Sequence, residues 1–486
     1  MIGFLSRPES HGGTEPVERI DTHVAMVFLA GDRALKLKRA VRFPYLDFTT
    51  VALRHQALEQ ELRLNRRTAP ELYLRLRSIG RNPDGSLGFD AGEPVDWILE
   101  MHRFDQACLL SAVAARGALT MPIIHDLADA VAAFHAEARP TPGHGGAAAM
   151  RAIIDENHQS MAEGLPADDV ARFHARSLEA LAGIAGTLDR RRDQGKVRHC
   201  HGDLHLRNIA LIGGKPVLFD CLEFSEELAS IDVLYDLAFL LMDLWHRGER
   251  EAANRLFNRY LDRSDEADGL CCLPLFLSMR AAVRAHVAVS AGKPAEGRAY
   301  LDRALELLRP VTPRLAAVGG LSGTGKSTLA YRIAPELGRP PGARVVRSDV
   351  LRKRLMGVAP EVRLGPEGYV QSVTEATYDG LGAACLQAIA QGQAAIADAV
   401  FQRADEREEI GRLAATAGVR FDGLWLTADR AVLRARIEAR RGDASDADVA
   451  VLEAQLARDV GPLGNWHTLD AAPGIDSLVK VAMGHL

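Results

Sequence analysis

The run Gly320-Leu321-Ser322-Gly323-Thr324-Gly325-Lys326-Ser327 restricts the fold of this chain more than any other stretch. It fits the pattern G-x-x-x-x-G-K-[ST] at every fixed position. An apolar run, Leu315 to Val318, precedes it, and a helix-like run, Thr328 to Leu337, follows it. Strand, glycine-rich loop and helix in that order make a P-loop, whose backbone N–H groups turn inward on phosphate oxygens with the glycines supplying the freedom to do so. Lys326 adds a mobile positive charge for the terminal phosphates, and Ser327 offers a hydroxyl to Mg²⁺. Gly320, Ser322, Gly323, Thr324, Gly325, Lys326, Ser327 and Thr328 are therefore the expected phosphate-binding set. The alternative is an ordinary glycine-rich turn, which pattern and flanking context together disfavour. Such a loop normally opens its domain, so the 319 residues ahead of Gly320 need an account of their own.

At 486 residues the chain is too long for one core, and two or three domains are expected. A net charge of −5 weighs against nucleic acid as the main partner, because phosphate backbones are bound by clustered lysine and arginine. The six cysteines, at 108, 200, 221, 271, 272 and 385, form no C-x-x-C pair, and their scatter suggests a reduced, cytoplasmic setting. Met1 to Gly13 has no apolar run of signal-peptide length. The most apolar stretch, Leu234 to Trp245, is short and interrupted by Asp236 and Asp243, so no membrane span is expected there.

The first third reads as strands. Val24 to Leu29 is apolar and β-rich, Gly31-Asp32 marks a turn, and Ala34 to Lys38 resumes as a strand. Lys36 and Lys38 alternate with leucines, so both point to one face. There they can reach nucleotide phosphates, or merely protect a solvated edge. Val51 to Thr68 is helical, carrying Glu59 and Glu61, either of which can pair with a lysine of the preceding strand. Ser78 to Asp90 reads as a hairpin around Asn82-Pro83-Asp84-Gly85, and Val95 to Met101 as another strand. Leu109 to Arg116 and Ile123 to Ala136 read as helices, and after a break rich in Pro and Gly helices resume from Ala147 to about Arg192.

Next comes His199-Cys200-His201-Gly202-Asp203-Leu204-His205-Leu206-Arg207-Asn208, then Ile209 to Ile212, a turn at Gly213-Gly214, and Val217-Leu218-Phe219 ending at Asp220. An acid, an amide five residues on, and an acid closing the next hairpin is the spacing of a kinase catalytic loop. In that arrangement the first Asp accepts the substrate hydroxyl proton, while the Asn and the later Asp hold Mg²⁺. The i, i+2, i+6 spacing of His199, His201 and His205 fits no usual zinc motif, and His201 is expected to support the loop by hydrogen bonds.

His201-Gly202-Asp203 with Asn208, then Phe219-Asp220, resembles the catalytic loop and metal segment of the aminoglycoside phosphotransferase and choline kinase group. Tyr235-Asp236-Leu237-Ala238 is similar to that group's downstream helix signature. The resemblance spans roughly residues 15 to 310 and implies a two-lobed, protein-kinase-like fold, with an N-lobe at about 15–101 and a C-lobe at about 102–310. It implies that Lys36, or Lys38 in its place, contacts the α/β-phosphates of ATP, with Glu61 or Glu59 as its helix partner. It also puts Glu100 and Met101 at the inter-lobe hinge. There is no G-x-G-x-x-G over the phosphates, a departure from protein kinases.

Ala252 to Leu308 is again helical, and Pro310 and Pro313 interrupt it, which places the expected domain boundary at 313/314. Arg280, Arg284 and Arg298 are expected on a solvated face. Beyond the P-loop helix, Ala343 to Arg347 reads as a strand ending at Ser348-Asp349. Asp349 is expected in the crevice at the strand end, orienting a substrate hydroxyl, unless it is only a helix N-cap, and Arg352 faces the same way. Asp398 ends the strand Ala394 to Ala397, where an acid can hold Mg²⁺ through water. Leu424 to Thr427 is a further strand. Arg434, Arg436, Arg440 and Arg441 then cluster where a lid can close over the transferring phosphate, or form a basic face balanced by Glu438. Asp443 to Asp448 is expected to begin another helix.

Residues 314 to 486 resemble small P-loop kinases of the gluconate kinase, adenylate kinase and zeta-toxin type. The whole chain is similar to bacterial bifunctional proteins that join an aminoglycoside phosphotransferase-like domain to a C-terminal ATP-binding domain. The expected architecture is a multidomain α/β and α+β protein whose C-terminal domain is a doubly wound parallel sheet. The expected activity is ATP- and Mg²⁺-dependent transfer of phosphate to hydroxyls of small molecules from two centres. The alternative is that one domain is a nucleotide-dependent regulator, or a stress-linked, toxin-like kinase, and only the other is catalytic.

Overall fold

The structure, a computed structural model, describes residues 1–486 apart from 44, 45 and 440–443. By packing, the described residues divide into two compact units, Met1–Ala152 with Ala185–Asp243, and Ile153–Ile184 with Leu244–Leu486.

The first unit is built on an antiparallel sheet of β1 (Glu18–Asp21), β2 (Ala25–Ala30), β3 (Arg33–Lys38), β4 (Tyr73–Arg81), β5 (Leu87–Phe89) and β6 (Glu93–His102), in the order β1-β2-β3-β6-β4-β5. The alternation in β3 sends Leu35 and Leu37 into a core with Phe28, Ile79 and Ile98, which turns Lys36 and Lys38 to the opposite face. Because β3 has a paired strand on each side, those lysines do not guard an edge. Helix α1 (Val51–Asn65) starts where the Thr50 hydroxyl accepts the Leu53 N–H, and its Leu58 packs with Tyr73 and Leu99 against the lysine-bearing side. Arg54 at its start is buried and holds Asp96 of β6 at 2.8 Å, fixing the helix to the sheet.

Below the sheet in sequence come α2 (Met121–Glu137), β7 (Val197–His199), and a hairpin of β8 (Ile209–Ile212) and β9 (Lys215–Leu218) turned by Gly213 and Gly214, both at positive φ. Helix α3 (Val233–His246) follows. The helical stretch expected from 147 to 192 is two helices, Gly146–Ala162 and Ala167–Asp193, separated at Pro166, which cannot donate to a continuing helix.

In the second unit, β10 (Leu315–Gly320) is buried throughout, as a central parallel strand must be. The all-parallel sheet runs β11-β12-β10-β13-β14, with β11 at Arg344–Arg347, β12 at Ala395–Asp398, β13 at Phe421–Thr427 and β14 at His467–Asp470. Val318, Ile396, Leu424 and Leu426 pack beneath Leu329 and Ile333 of helix α5 (Lys326–Ile333). Helix α4 (Arg250–Arg263), from before the expected boundary, covers the edge strand β11. Asn258 Oδ1 accepts the Val345 N–H at 2.7 Å, and Asn254 Nδ2 donates to the carbonyls of Pro341 and Ala343, each at 3.0 Å. Pro310 and Pro313 lie beyond the end of the helix Pro294–Leu307, but packing does not divide there, because these amides satisfy the sheet edge from across the prolines. Arg280, expected on a solvated face, is buried. Among the described residues, one helical segment, Ala267–Ser290, is long and apolar enough to cross a membrane, and most of it is buried inside the fold.

Candidate active sites

The first site forms where β3, α1 and the segment after β9 converge. Lys36 Nζ lies 2.6 Å from Glu61 Oε1 and 2.7 Å from Asp220 Oδ1. Lys38 Nζ lies 2.7 Å from the other oxygen of Glu61 and also bonds Glu223. Glu61 is therefore the helix partner, while Glu59 is exposed beside His55. Burial opposes every charge in this cluster, and partners decide the outcome. It pulls Lys36 down, but Asp220 and Glu61 outweigh it and hold the ammonium well above the ordinary lysine value. It pushes Asp220 and Glu61 up, but the lysines hold both below the ordinary carboxylate range. Asp220 has φ +58, a conformation few non-glycine residues adopt, and its N–H donates to the Tyr73 hydroxyl at 3.1 Å.

The loop carrying Asp203 is held from below. Asp236 of α3 is fully buried and accepts the N–H groups of His201 at 3.1 Å and Gly202 at 2.9 Å, while His135 Nε2 of α2 lies 3.1 Å away. His201 Nε2 bonds the Phe219 carbonyl at 3.0 Å, so the histidine ties the Asp203 loop to the segment after β9, a hydrogen-bonded support as expected of it. Burial holds its imidazole below the ordinary value despite Asp236. Asn208 Nδ2 donates to Asp203 Oδ2 at 2.8 Å and to the Asp203 carbonyl at 3.0 Å, leaving the amide oxygen as the acceptor available to a cation. Met101, on β6, packs with Tyr73, Leu99 and Phe219 at the foot of the sheet. Its neighbour Glu100 is buried and engaged by Arg75 at 2.8 Å.

The second site is a cavity of about 1910 Å³ at the carboxyl ends of the parallel strands. Gly323 to Thr328, Asp349, Arg352, Asp398 and Arg436 all line it. Gly320, Gly323 and Gly325 all have positive φ, and a Cβ on Gly323 would sit 2.7 Å from the Leu433 carbonyl oxygen. Lys326 Nζ rests on the Leu321 carbonyl at 3.1 Å. The Ser322 N–H donates to Gln455 Oε1 at 2.8 Å, which positions the loop from helix Val449–Leu456. Asp398 is buried at the end of β12 and accepts a hydrogen bond from Ser327, with Arg347 at 3.5 Å. Burial pushes its carboxyl up against the pull of Arg347 and Lys326.

Asp349 is the second residue of helix α6 (Ser348–Leu355), not its cap. Arg352, one turn on, is buried, donating to the Gly368 carbonyl at 2.8 Å and to Thr374 Oγ1 at 3.1 Å beneath the Tyr369 ring. Arg436 reaches the Thr324 carbonyl at 3.5 Å and the Ala471 carbonyl at 2.8 Å, whereas Arg434 pairs along its helix with Glu438. Arg440 and Arg441 lie outside the described residues. Asp443 also lies outside them, residues 444–448 are not helical, and Asp448 caps the next helix by accepting the Val451 N–H. Tyr73, Glu223 and Gln455 join the sites without having been expected there, and each lies far in sequence from the residue it touches.

A kinase-like unit and a P-loop kinase fold define a protein of two kinase-type domains. The Phosphotransferase enzyme family model matches residues 93–270 and the AAA domain model residues 315–462. The Uncharacterized protein Rv2004c of Mycobacterium tuberculosis (strain ATCC 25618 / H37Rv) is 31% identical over 479 residues, covering 93% of this chain and 92% of the relative. The Uncharacterized protein Mb2027c of Mycobacterium bovis matches to the same extent. The chain belongs to the family of these mycobacterial proteins. Among solved structures, an aminoglycoside phosphotransferase, APH(4)-Ia, is 13% identical, with 63% of this chain and 98% of that chain covered, at a TM-score of 0.41. A gluconokinase from Sinorhizobium meliloti 1021 is 19% identical, with 36% and 93% covered, at a TM-score of 0.27.

Proposed function

We propose that this chain is an ATP- and Mg²⁺-dependent phosphotransferase with two nucleotide centres, each passing the γ-phosphoryl group to a hydroxyl of a small molecule, in the cytoplasm. The observation that carries the reading is that two separate groups of side chains with the chemistry to hold phosphate and a metal are assembled, Lys36 with Glu61, Asn208 and Asp220 in one, and the loop Gly320 to Ser327 with Asp398 in the other. We place the boundary between the two domains at 313/314, just before the β-strand that opens the P-loop fold.

Both sets suit Mg²⁺. Asp398 Oδ2 is buried without a hydrogen-bond partner beside Ser327, a donor set of hard oxygens. In the first centre, Asp220 keeps 42% of its side chain exposed while Lys36 holds it ionised. Bound there, the ion would neutralise charge on the phosphates. Asp203 accepts the proton of the acceptor hydroxyl as its oxygen bonds to the γ-phosphorus and the bond to the β–γ bridging oxygen breaks, ADP leaving. Lys36 balances charge on the α/β-phosphates, and Met101 supplies an apolar wall for the base. In the second centre Lys326 follows the terminal phosphates, Asp349 orients the acceptor hydroxyl, and Arg352 and Arg436 stabilise the transferring group. The cavity volume exceeds the roughly 300–1,000 Å³ of ordinary ligand pockets, which leaves room for an acceptor beside the nucleotide.

The test is a screen of hydroxyl-bearing metabolites with γ-labelled ATP, using the full chain, Asp203→Ala and Lys326→Ala. Each variant is expected to lose a different labelled product. If Asp203→Ala retains every product, the first centre is not catalytic.

A further inference from the structure

We infer that Lys38 and Glu223 are positioning residues that hold the metal-binding segment of the first centre in register while Lys36 changes partners. The inference rests on reading that centre as a nucleotide site.

Five charged groups form a closed chain there. Asp220 meets Lys36, Lys36 meets Glu61, Glu61 meets Lys38, Lys38 meets Glu223, and the backbone from 220 to 223 closes the ring. The two lysines reach Glu61 through different oxygens, at 2.6 and 2.7 Å, so neither displaces the other. Lys38, Glu61 and Glu223 are almost wholly buried, at 1%, 0% and 9% side-chain exposure, whereas Lys36 and Asp220 keep 13% and 42%. The ring therefore has an exposed half that can meet a ligand and a buried half that cannot.

The two halves have different tasks. A lone lysine between Glu61 and Asp220 would have to release one of them to follow a nucleotide phosphate, and the helix or the metal segment would lose its tie. With Lys38 in place, Glu61 keeps a cation through its second oxygen. Glu223, three residues after Asp220, keeps that segment fastened to β3. Lys36 is then free to exchange Asp220 for phosphate without releasing α1 or moving Asp220. A partner behind a metal ligand typically sets about 10–100-fold of metal affinity.

The test uses the full chain in a Lys326→Ala background, which silences the P-loop centre, and reads binding of a fluorescent ATP analogue as Mg²⁺ is titrated. Glu223→Gln leaves two lysines against two carboxylates, a charge-balanced set that should fold. It is expected to raise the Mg²⁺ concentration for half-saturation about 10–100-fold, with metal-free nucleotide binding changed less than about threefold. The neutral pair Lys38→Met with Glu223→Gln is expected to do the same. Unchanged Mg²⁺ dependence in either folded variant overturns the inference. Equal losses with and without Mg²⁺ also overturn it, since they mark general loosening of the lobe. If the Lys326→Ala chain binds no nucleotide at all, the nucleotide reading of the first centre fails, and this inference falls with it.

Discussion

Replacing Asp236 with alanine should release the loop that carries Asp203. The Asp236 carboxylate is fully buried, accepts two backbone N–H groups at 2.9 and 3.1 Å, and faces His135 Nε2 at 3.1 Å. Alanine leaves those donors in the interior without their acceptor. Each orphaned group costs about 1–3 kcal/mol, and breaking a buried charged network costs about 3–5 kcal/mol. We therefore expect a loss of roughly 3–5 kcal/mol, a large share of the total stability of a domain, about 5–15 kcal/mol. Asparagine keeps the shape and one acceptor, so Asp236→Asn should cost about 1–3 kcal/mol. Denaturant unfolding gives the free energies. Hydrogen exchange at the His201 and Gly202 amides locates the effect, and both should lose protection before the rest of the unit. An alanine variant within about 1 kcal/mol of the parent, with those amides still protected, would refute the anchoring role.

Gly323→Ala should cost about 1–3 kcal/mol through backbone strain at φ +86 and the approach to Leu433, and should abolish nucleotide binding at the second centre but not the first; calorimetric titration separates the two. Burial pushes the Cys221 and Cys385 thiols up to about 12, so at neutral pH a maleimide should label the half-buried Cys108 and Cys271 first, and peptide mapping should show Cys221 and Cys385 modified only after unfolding. Asp220 and Glu61 are held below their ordinary values of 3.8 and 4.5, so the unfolded chain binds these protons more readily than the folded one. The stabilisation they give is complete above that range and is lost as pH falls through the lowered values, while Glu223, pushed up by burial, works in the opposite sense. Lys36→Met should therefore lower the melting temperature most at neutral pH, with the gap to the parent narrowing below about pH 4; a constant gap would contradict the assignment.

Much of this arrangement was legible because it is periodic or local. The two-residue period in β3 put Lys36 and Lys38 on one face, but could not choose between them, and the structure uses both. The choice of Glu61 over Glu59 was available in the helix phase, since Ala57, Leu58, Glu61 and Leu64 fall on one buried stripe while Glu59 does not. The P-loop carries its own flanking strand and helix, which made its placement direct. Contacts between distant segments left no such trace. The Lys38–Glu223 pair joins residues 185 positions apart, and nothing around Glu223 marks it. The cover on β11 was hidden for a different reason. Asn254 and Asn258 are polar residues on a buried helix face, and apolar patterning gives no sign that such residues are covered.

The count of nucleotides bound per chain tests the central claim most directly. Equilibrium titration of the full chain with an ATP analogue and Mg²⁺ should give two sites. Lys36→Met should remove one and leave the other unchanged, Lys326→Ala should do the converse, and the double variant should bind none. One site in the parent, or a single substitution that abolishes both, would contradict the reading of this chain as two independent nucleotide centres.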